Sequence, residues 1–321
     1  MKKRFLGILL AVVMMLGVCS FTACGGGDVY KVGVIQLVTH DALDAATQGF
    51  VDALKDELGE DNVEIEIQNA ANSTDTCATI AGSFVTKNVD LIMANATPAL
   101  QAAYNATTTI PILGTSVTEY GVALGIDNFS GTVGGNVSGT SDLANLDKQA
   151  QMIIDLFPDA DTVGLLYCSA EANSDYQVQK VEEYLEARDI TCERYEFSDS
   201  NDVATVAGQA AAQSDVIYIP TDNTAASCAE TIYGATGTTP IIAGEAGICS
   251  GCGVATLSIS YYDLGYQTGL MAAQILTGEK DISTMPIAYA PQETKKYNAD
   301  ICDDLGIDTS WLESLGYVAL D

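Results

Sequence analysis

The sequence predicts an α/β protein built from two similar lobes, each a parallel sheet with helices on both faces. Two observations carry this expectation. Apolar segments of strand length alternate with amphipathic helical stretches, and a helix between two strands returns the chain to the same end of the sheet, which makes the strands parallel. The segments also recur. They fall at 32–38, 63–68, 90–94 and 111–113, then at 163–168, 191–197, 215–219 and 240–242, so successive starts are offset by 131, 128, 125 and 129 residues. A repeated strand–helix unit gives that regularity.

Taken in chain order, the first element is not part of either lobe. Lys2, Lys3 and Arg4 precede the apolar run Phe5–Val18, 14 residues long. A membrane-spanning helix needs about 20 residues, so the run reads as an export signal. Phe21-Thr22-Ala23-Cys24 resembles a bacterial lipobox, with residues 1–23 removed and Cys24 lipidated. Two or more acyl chains anchor a protein stably, so the expected location is extracytoplasmic, on the outer face of the cell membrane, with 24–29 as a flexible tether.

The first lobe is expected over 30–140. Its leading helix carries Leu43, Ala46, Phe50, Leu54 and Leu58 at spacings of three and four. Gly125–Asp142, rich in Gly, Ser and Asn, reads as a crossover. The second lobe is expected over 141–260. There Ser174 with Gln177 reads as a capping box before the stripe Val178, Val181 and Leu185. The segment 253–259 should cross back, and Leu264, Thr268, Met271 and Ile275 stripe a helix that Gly278 ends. On this reading 261–284 rejoins the first lobe, while 285–321 returns to the second.

Composition excludes several functions. Processing at Cys24 removes three of the 13 basic residues and none of the 43 acidic ones, taking the formal charge from −30 to −33. Such a surface repels nucleic acid. His40 is the sole histidine, and Arg188 and Arg194 are the only arginines after the signal. Neither a His-rich metal site nor an arginine clamp can be built from these. Gly247-Ile248-Cys249-Ser250-Gly251 has nucleophile-elbow spacing, but no histidine follows it to complete a triad. Cys249 and Cys252 lack the second pair that a zinc site needs. No enzyme, metal or cofactor is expected.

In open parallel sheets, ligands bind outside the carboxyl ends of the strands. Equivalent loops of two facing lobes would therefore line a common cleft. Those loops supply Gln36 and His40, Thr97, and Ser116 and Thr118 from the first half. From the second half come Asn173, Asp222, Asn223 and Glu245.

The same loops carry a resemblance. Val32-Gly33-Val34-Ile35-Gln36, Asn95-Ala96-Thr97-Pro98-Ala99, Gly135-Asn136-Val137-Ser138-Gly139, Glu171-Ala172-Asn173-Ser174, Ile219-Pro220-Thr221-Asp222-Asn223, Ile242-Ala243-Gly244-Glu245 and Tyr261-Tyr262-Asp263-Leu264-Gly265 together resemble ABC-transporter substrate-binding proteins of the tryptophan/tyrosine type. The resemblance implies a type I periplasmic-binding fold, two Rossmann-like lobes on a multi-strand hinge. It also implies an aromatic or apolar amino acid as ligand, with an ABC permease and its ATPase as partners. A monomer is expected.

For a zwitterion the expected carboxylate site is the helix N-termini with Thr97 and Ser116 or Thr118. The expected ammonium partner is Asp222 or Glu245. Two alternatives stay open: a sugar or nucleoside binder of the same fold, stacking its ligand on Tyr104, Tyr167, Tyr218 or Trp311, and a sensor that docks on a membrane receptor.

Overall fold

The computed structural model describes residues 29–290 and 292–320. The export segment and Cys24 lie outside them. Ten strands make the two repeated units. In the first lobe they are β1 (Tyr30–Gln36), β2 (Val63–Asn69), β3 (Leu91–Asn95), β4 (Ile112–Val117) and β5 (Val137–Ser141). In the second they are β6 (Thr162–Cys168), β7 (Thr191–Phe197), β8 (Val216–Ile219), β9 (Ile241–Ala243) and β10 (Ala255–Ser258). Their spatial orders, β2-β1-β3-β4-β5 and β7-β6-β8-β9-β10, are the same pattern twice. All these neighbours that pair do so in parallel.

Alternate residues of a strand face opposite sides, and both sides of each sheet are buried. Val32 and Val34 face Phe50, Leu54 and Met271. Ile35 and Ile92 face Ile80, Phe84 and Leu100. In the second lobe Leu165 and Tyr218 pack with Ile153 and Val181, while Leu166 and Ile217 pack with Ala207 and Ile232. Fully buried strands of this kind read as continuous apolar runs, which is why the sequence marks them clearly.

The helices Asp41–Leu58 and Tyr261–Leu276 lie side by side on the first sheet, near enough for backbone contact. A Cβ added at Gly265 would meet the carbonyl of Ala46, one at Gly49 the carbonyl of Tyr262, and one at Gly269 the carbonyl of Phe50. Three glycines thus bring the returning helix down onto the first lobe.

The chain crosses between lobes after β5, after β10 and again between Tyr289 and Thr294. The last crossing is later than the sequence suggests. Met285–Tyr289, expected with the second lobe, stays with the first: β11 (Ala288–Tyr289) extends the first sheet by pairing with β5. Ser138 Oγ donates to the Met285 carbonyl at 3.1 Å, and Met285 and Ile287 are buried there. The free edge of β5 is the reason, because an unpaired ladder invites a partner strand. The chain then rejoins the second sheet through β12 (Thr294–Tyr297), antiparallel to β10, and β13 (Val318–Ala319).

The capping box at Ser174 is also corrected. The helix starts at Ala172, with Glu171 as its cap residue. Gln177 instead turns to the neighbouring strand end, donating to the Thr221 carbonyl and accepting from the Thr221 N–H at 3.0 and 3.1 Å. Among the described residues no helix is long and apolar enough to cross a membrane.

Candidate functional site

The carboxyl ends of both sheets converge on the interlobe cleft. A small cavity there, of about 10 Å³ and room for about one water, is lined from the first lobe and hinge by His40, Leu43, Ser116, Asp142 and Tyr261. Thr221, Asp222, Asn223, Ala226 and Glu245 line it from the second. A wider chamber of about 480 Å³ adjoins it at His40 and Ala226 and is rimmed by Asp41, Asp44, Glu230 and several hydroxyls.

Backbone strain marks the first-lobe side. Ala96, just past β3, has φ 95°, and Ser116, in β4, has φ 53°. Non-glycine residues are held in such conformations at a cost of about 1–3 kcal/mol, and they concentrate at functional sites. At Ser116 the β4–β5 register shifts between Gly114 and Val117, an irregularity that re-aims a side chain. The Ser116 hydroxyl and one oxygen of Asp142 are buried without a protein partner, and both residues line the cavity.

His40 Nδ1, Thr97 Oγ1 and Asn173 Oδ1 are likewise buried and unpartnered. Leaving a buried polar atom unpaired costs about 1–3 kcal/mol. Three of these five unpartnered atoms, on His40, Ser116 and Asp142, belong to residues that line the one cavity, and buried polar atoms left unpaired call for an explanation.

Asp142 is the carboxylate best placed to meet a cation. It follows β5 directly, is 4% exposed, and accepts from the Tyr261 hydroxyl at 3.0 Å through its other oxygen. Burial pushes its pKa up to about 6, against the hydrogen bond from Tyr261 and with a smaller upward push from Glu245. The sequence reading missed it because Gly125–Asp142 reads as a crossover. The strand before it, Val137-Ser138-Gly139-Thr140-Ser141, carries a single apolar residue, so no apolar run marks Asp142 as a strand-end acid.

The expected site residues divide into two groups. His40, Ser116, Asp222, Asn223 and Glu245 line the cavity. Thr97 begins the helix Thr97–Ala106 with its hydroxyl unpartnered, and Asn173 touches the cavity wall through the Thr221 carbonyl.

Gln36, Thr97, Thr118 and Asn173 do not line the cavity. Gln36 is engaged locally, donating to Val38 and Asp44 and accepting from Thr47. Thr118 accepts from the Ser141 hydroxyl through its carbonyl at 2.7 Å.

Asp222 and Glu245, the expected ammonium partners, have both oxygens engaged with backbone. Asp222 accepts from Ala225 N and Cys168 N at 2.7 Å each. Glu245 accepts from Gly247 N and Ile248 N at 2.6 Å each, capping the helix Ala246–Cys252. Burial raises the pKa of both. Glu171's charge adds to the rise at Asp222, and His40 offsets part of it at Glu245.

The family model described as ABC transporter substrate binding protein matches residues 31–314. The chain belongs to that family. Its two lobes and three crossings are the type I periplasmic-binding arrangement.

A "Tyrosine-binding protein" of Clostridioides difficile (strain R20291) is 33% identical to this substrate-binding protein, over 100% of this chain and 97% of the relative. A Streptococcus pneumoniae ABC domain solved in complex with L-Trp has a TM-score of 0.85 at 30% identity, covering 91% of this chain and all of that one. The ligand-free, open structure of the Clostridium difficile substrate-binding protein CD0873 scores 0.68 at 37% identity, with the same coverage. Sequence similarity is greater to the open structure, yet shape agrees better with the L-Trp complex. In this protein the two lobes touch across the cleft, where His40 Nε2 lies 3.4 Å from Asn223 Oδ1 and Asn72 Nδ2 donates to Thr224 Oγ1 at 3.0 Å.

Three of the proposed stacking platforms are tied up or remote. Tyr218 is buried with its hydroxyl on Gln149, Tyr167 bonds Glu196, and Trp311 lies on a tail helix. Neither these nor Tyr104 lines the cavity. Arg194 sits in a surface cluster with Asp175 and Glu182. Among the described residues no His, Cys, Asp and Glu side chains converge as a metal site, and all seven described cysteines are free thiols.

Proposed function

We propose that this substrate-binding protein takes an aromatic amino acid, of the tyrosine or tryptophan kind, as a zwitterion between its lobes. The observation that carries the reading is the pairing, in the cavity between the lobes, of an unpartnered Asp142 oxygen with the unpartnered Ser116 hydroxyl, while the unpartnered Thr97 hydroxyl begins the helix that follows the neighbouring strand β3. The ammonium meets Asp142. The carboxylate lies at the start of the helix Thr97–Ala106, where free backbone N–H groups and the helix dipole favour an anion. The ring lies against Leu43, Ala226 and Tyr261, where offset stacking on Tyr261 is available.

The Tyr- and Trp-binding relatives support the ligand class. Because Ser116 and Asn223 belong to opposite lobes, a guest touching both favours the closed state by its differential affinity. The protein then acts by capture and delivery, without catalysis. Export and lipidation at Cys24 follow from the lipobox, and an ABC permease with its ATPase is the partner that the family implies.

Isothermal titration tests the ligand. L-Tyr, L-Trp and L-Phe are expected to bind, whereas tyramine, lacking the carboxylate, and 4-hydroxyphenylpropionate, lacking the ammonium, are expected to be at least tenfold weaker. Equal binding of both analogues would overturn the zwitterion site. Tighter binding of sugars or nucleosides than of any amino acid would overturn the class.

A further inference from the structure

Glu171 is a buried carboxylate that the ligand reading leaves without a task. It stands at the cap position of the helix Ala172–Glu186 but makes no side-chain cap there. Its oxygens serve the neighbouring helix start instead. Oε2 accepts from Asn223 N at 3.1 Å and Asn223 Nδ2 at 2.6 Å, and Oε1 accepts from Thr224 N at 2.9 Å and Thr224 Oγ1 at 2.8 Å.

Those bonds dictate polarity as well as place. With its Nδ2 held by Glu171, the Asn223 amide turns Oδ1 outward. With its proton given to Glu171, the Thr224 hydroxyl has only acceptor capacity left. Both residues then face the opposite lobe. Asn223 Oδ1 lies 3.4 Å from His40 Nε2, and Thr224 Oγ1 accepts from Asn72 Nδ2 at 3.0 Å.

Asn72 is itself fixed. It has φ 60°, follows Ala71 at φ 50°, and donates its N–H to the Leu37 carbonyl at 2.8 Å, just before Ser73 caps the helix Thr74–Lys87. The Asn72–Thr224 bond thus joins the turn after β2 to the helix start after β8. Neither of these two residues lines the cavity.

We propose that Glu171 is a positioning residue for lobe closure. By fixing Asn223 and Thr224 as acceptors toward His40 and Asn72, it forms an interlobe latch that holds the closed state independently of the ligand. The latch contributes to closure whether or not a guest is present, and so sets how long a captured guest stays. This deepens the binding reading above and rests on it only for the residence time.

The test uses the mature chain with Asn72→Gly, which keeps the left-handed backbone, Thr224→Val, and Thr224→Ser as the variant that retains the hydroxyl. Small-angle scattering without ligand is expected to show a larger radius of gyration for the first two than for wild type, and none for Thr224→Ser. Stopped-flow with L-Tyr and L-Trp is expected to show dissociation about 3- to 10-fold faster for the first two at an unchanged association rate, the size of one net hydrogen bond. Glu171→Gln should reproduce both effects. The double variant Asn72→Gly/Thr224→Val should add little beyond either single change, since they share one bond.

Wild-type scattering and dissociation in both single variants would overturn the latch. Failure of wild type to bind either amino acid would instead overturn the ligand reading, with ligand-free scattering still deciding the latch.

Discussion

At the scale of single residues, the cleft separates carboxylates by what their oxygens already hold. Asp142 keeps one free oxygen, so its charge is available to a guest. Its raised pKa then couples binding to pH. An ammonium needs the ionised carboxylate, so affinity should be constant above about pH 6, where Asp142 has lost its proton, and fall as pH drops through that value. Titrations from pH 8 to 5 check this. Asp142→Asn should lower affinity about 10- to 100-fold, the range of a charge-assisted hydrogen bond, and should flatten the pH dependence.

Stability has the opposite slope. The folded pKa of Asp142 lies above its ordinary 3.8, so the native state binds more protons than the unfolded chain between those values. The contribution of Asp142 to stability is present below about pH 4 and lost as pH rises through about 6. Thermal melts without ligand should therefore show a Tm that falls from pH 5 to 7, less steeply in Asp142→Asn.

Asp222 and Glu245 act on the backbone. Asp222→Ala removes a helix cap and orphans the Cys168 N–H, and Glu245→Ala removes two cap bonds. Each should lower stability by about 1–3 kcal/mol in chemical denaturation. Undiminished stability with abolished ligand binding would return the ammonium to these residues.

At the scale of elements, the contact between the helices Asp41–Leu58 and Tyr261–Leu276 decides where the hinge sits. It holds Tyr261, at the start of the second helix, beside Asp142. Gly265→Ala sets a methyl against the Ala46 carbonyl, and overpacking of this kind costs about 1–3 kcal/mol. The expected outcome is a lowered denaturation midpoint together with weakened L-Tyr binding, because the displaced helix carries Tyr261 away. Gly82, which has open space around its Cβ position, is the control. Its change to Ala in the helix Thr74–Lys87 should be neutral or stabilising.

Individual elements were legible to different degrees. Eight of the ten strands of the repeat appear in the sequence within a few residues, the central ones as apolar runs and the edge strand Val63–Asn69 as an alternation, whereas the polar β5 is hidden in Gly125–Asp142. β11 is hidden too: Ala288–Tyr289 is two residues long, and its place depends on the exposed edge of β5. Ser174 failed as a cap because Glu171 begins its helix a turn earlier and Gln177 is drawn to Thr221.

At the scale of the whole molecule, two lobes with the same strand order close on one another by a few polar contacts and a cleft of unpaired atoms. The formal charge of −30 acts over the same distance. Self-repulsion opposes compaction and is screened beyond about 10 Å at 0.1 M salt. Melts in 0.5 M sodium chloride should give a Tm several degrees above those in 10 mM salt. An unchanged Tm would mean that the acidic surface carries no net strain.

The sequence by itself determined the duplicated α/β architecture and the loops that meet at the cleft, because strand burial and helix periodicity are local patterns. Its acidity and its single histidine also narrowed the chemistry before any coordinates. Tertiary structure alone decided which acid stays free. Asp222 and Glu245 follow the apolar strands Val216–Ile219 and Ile241–Ala243, whereas Asp142 follows the polar Val137–Ser141, yet none of the three local sequences says which carboxylate keeps an oxygen free. The difference lies in which backbone N–H groups arrive from distant parts of the chain to occupy their oxygens, and hydrogen bonds between distant segments leave no periodic mark in a sequence.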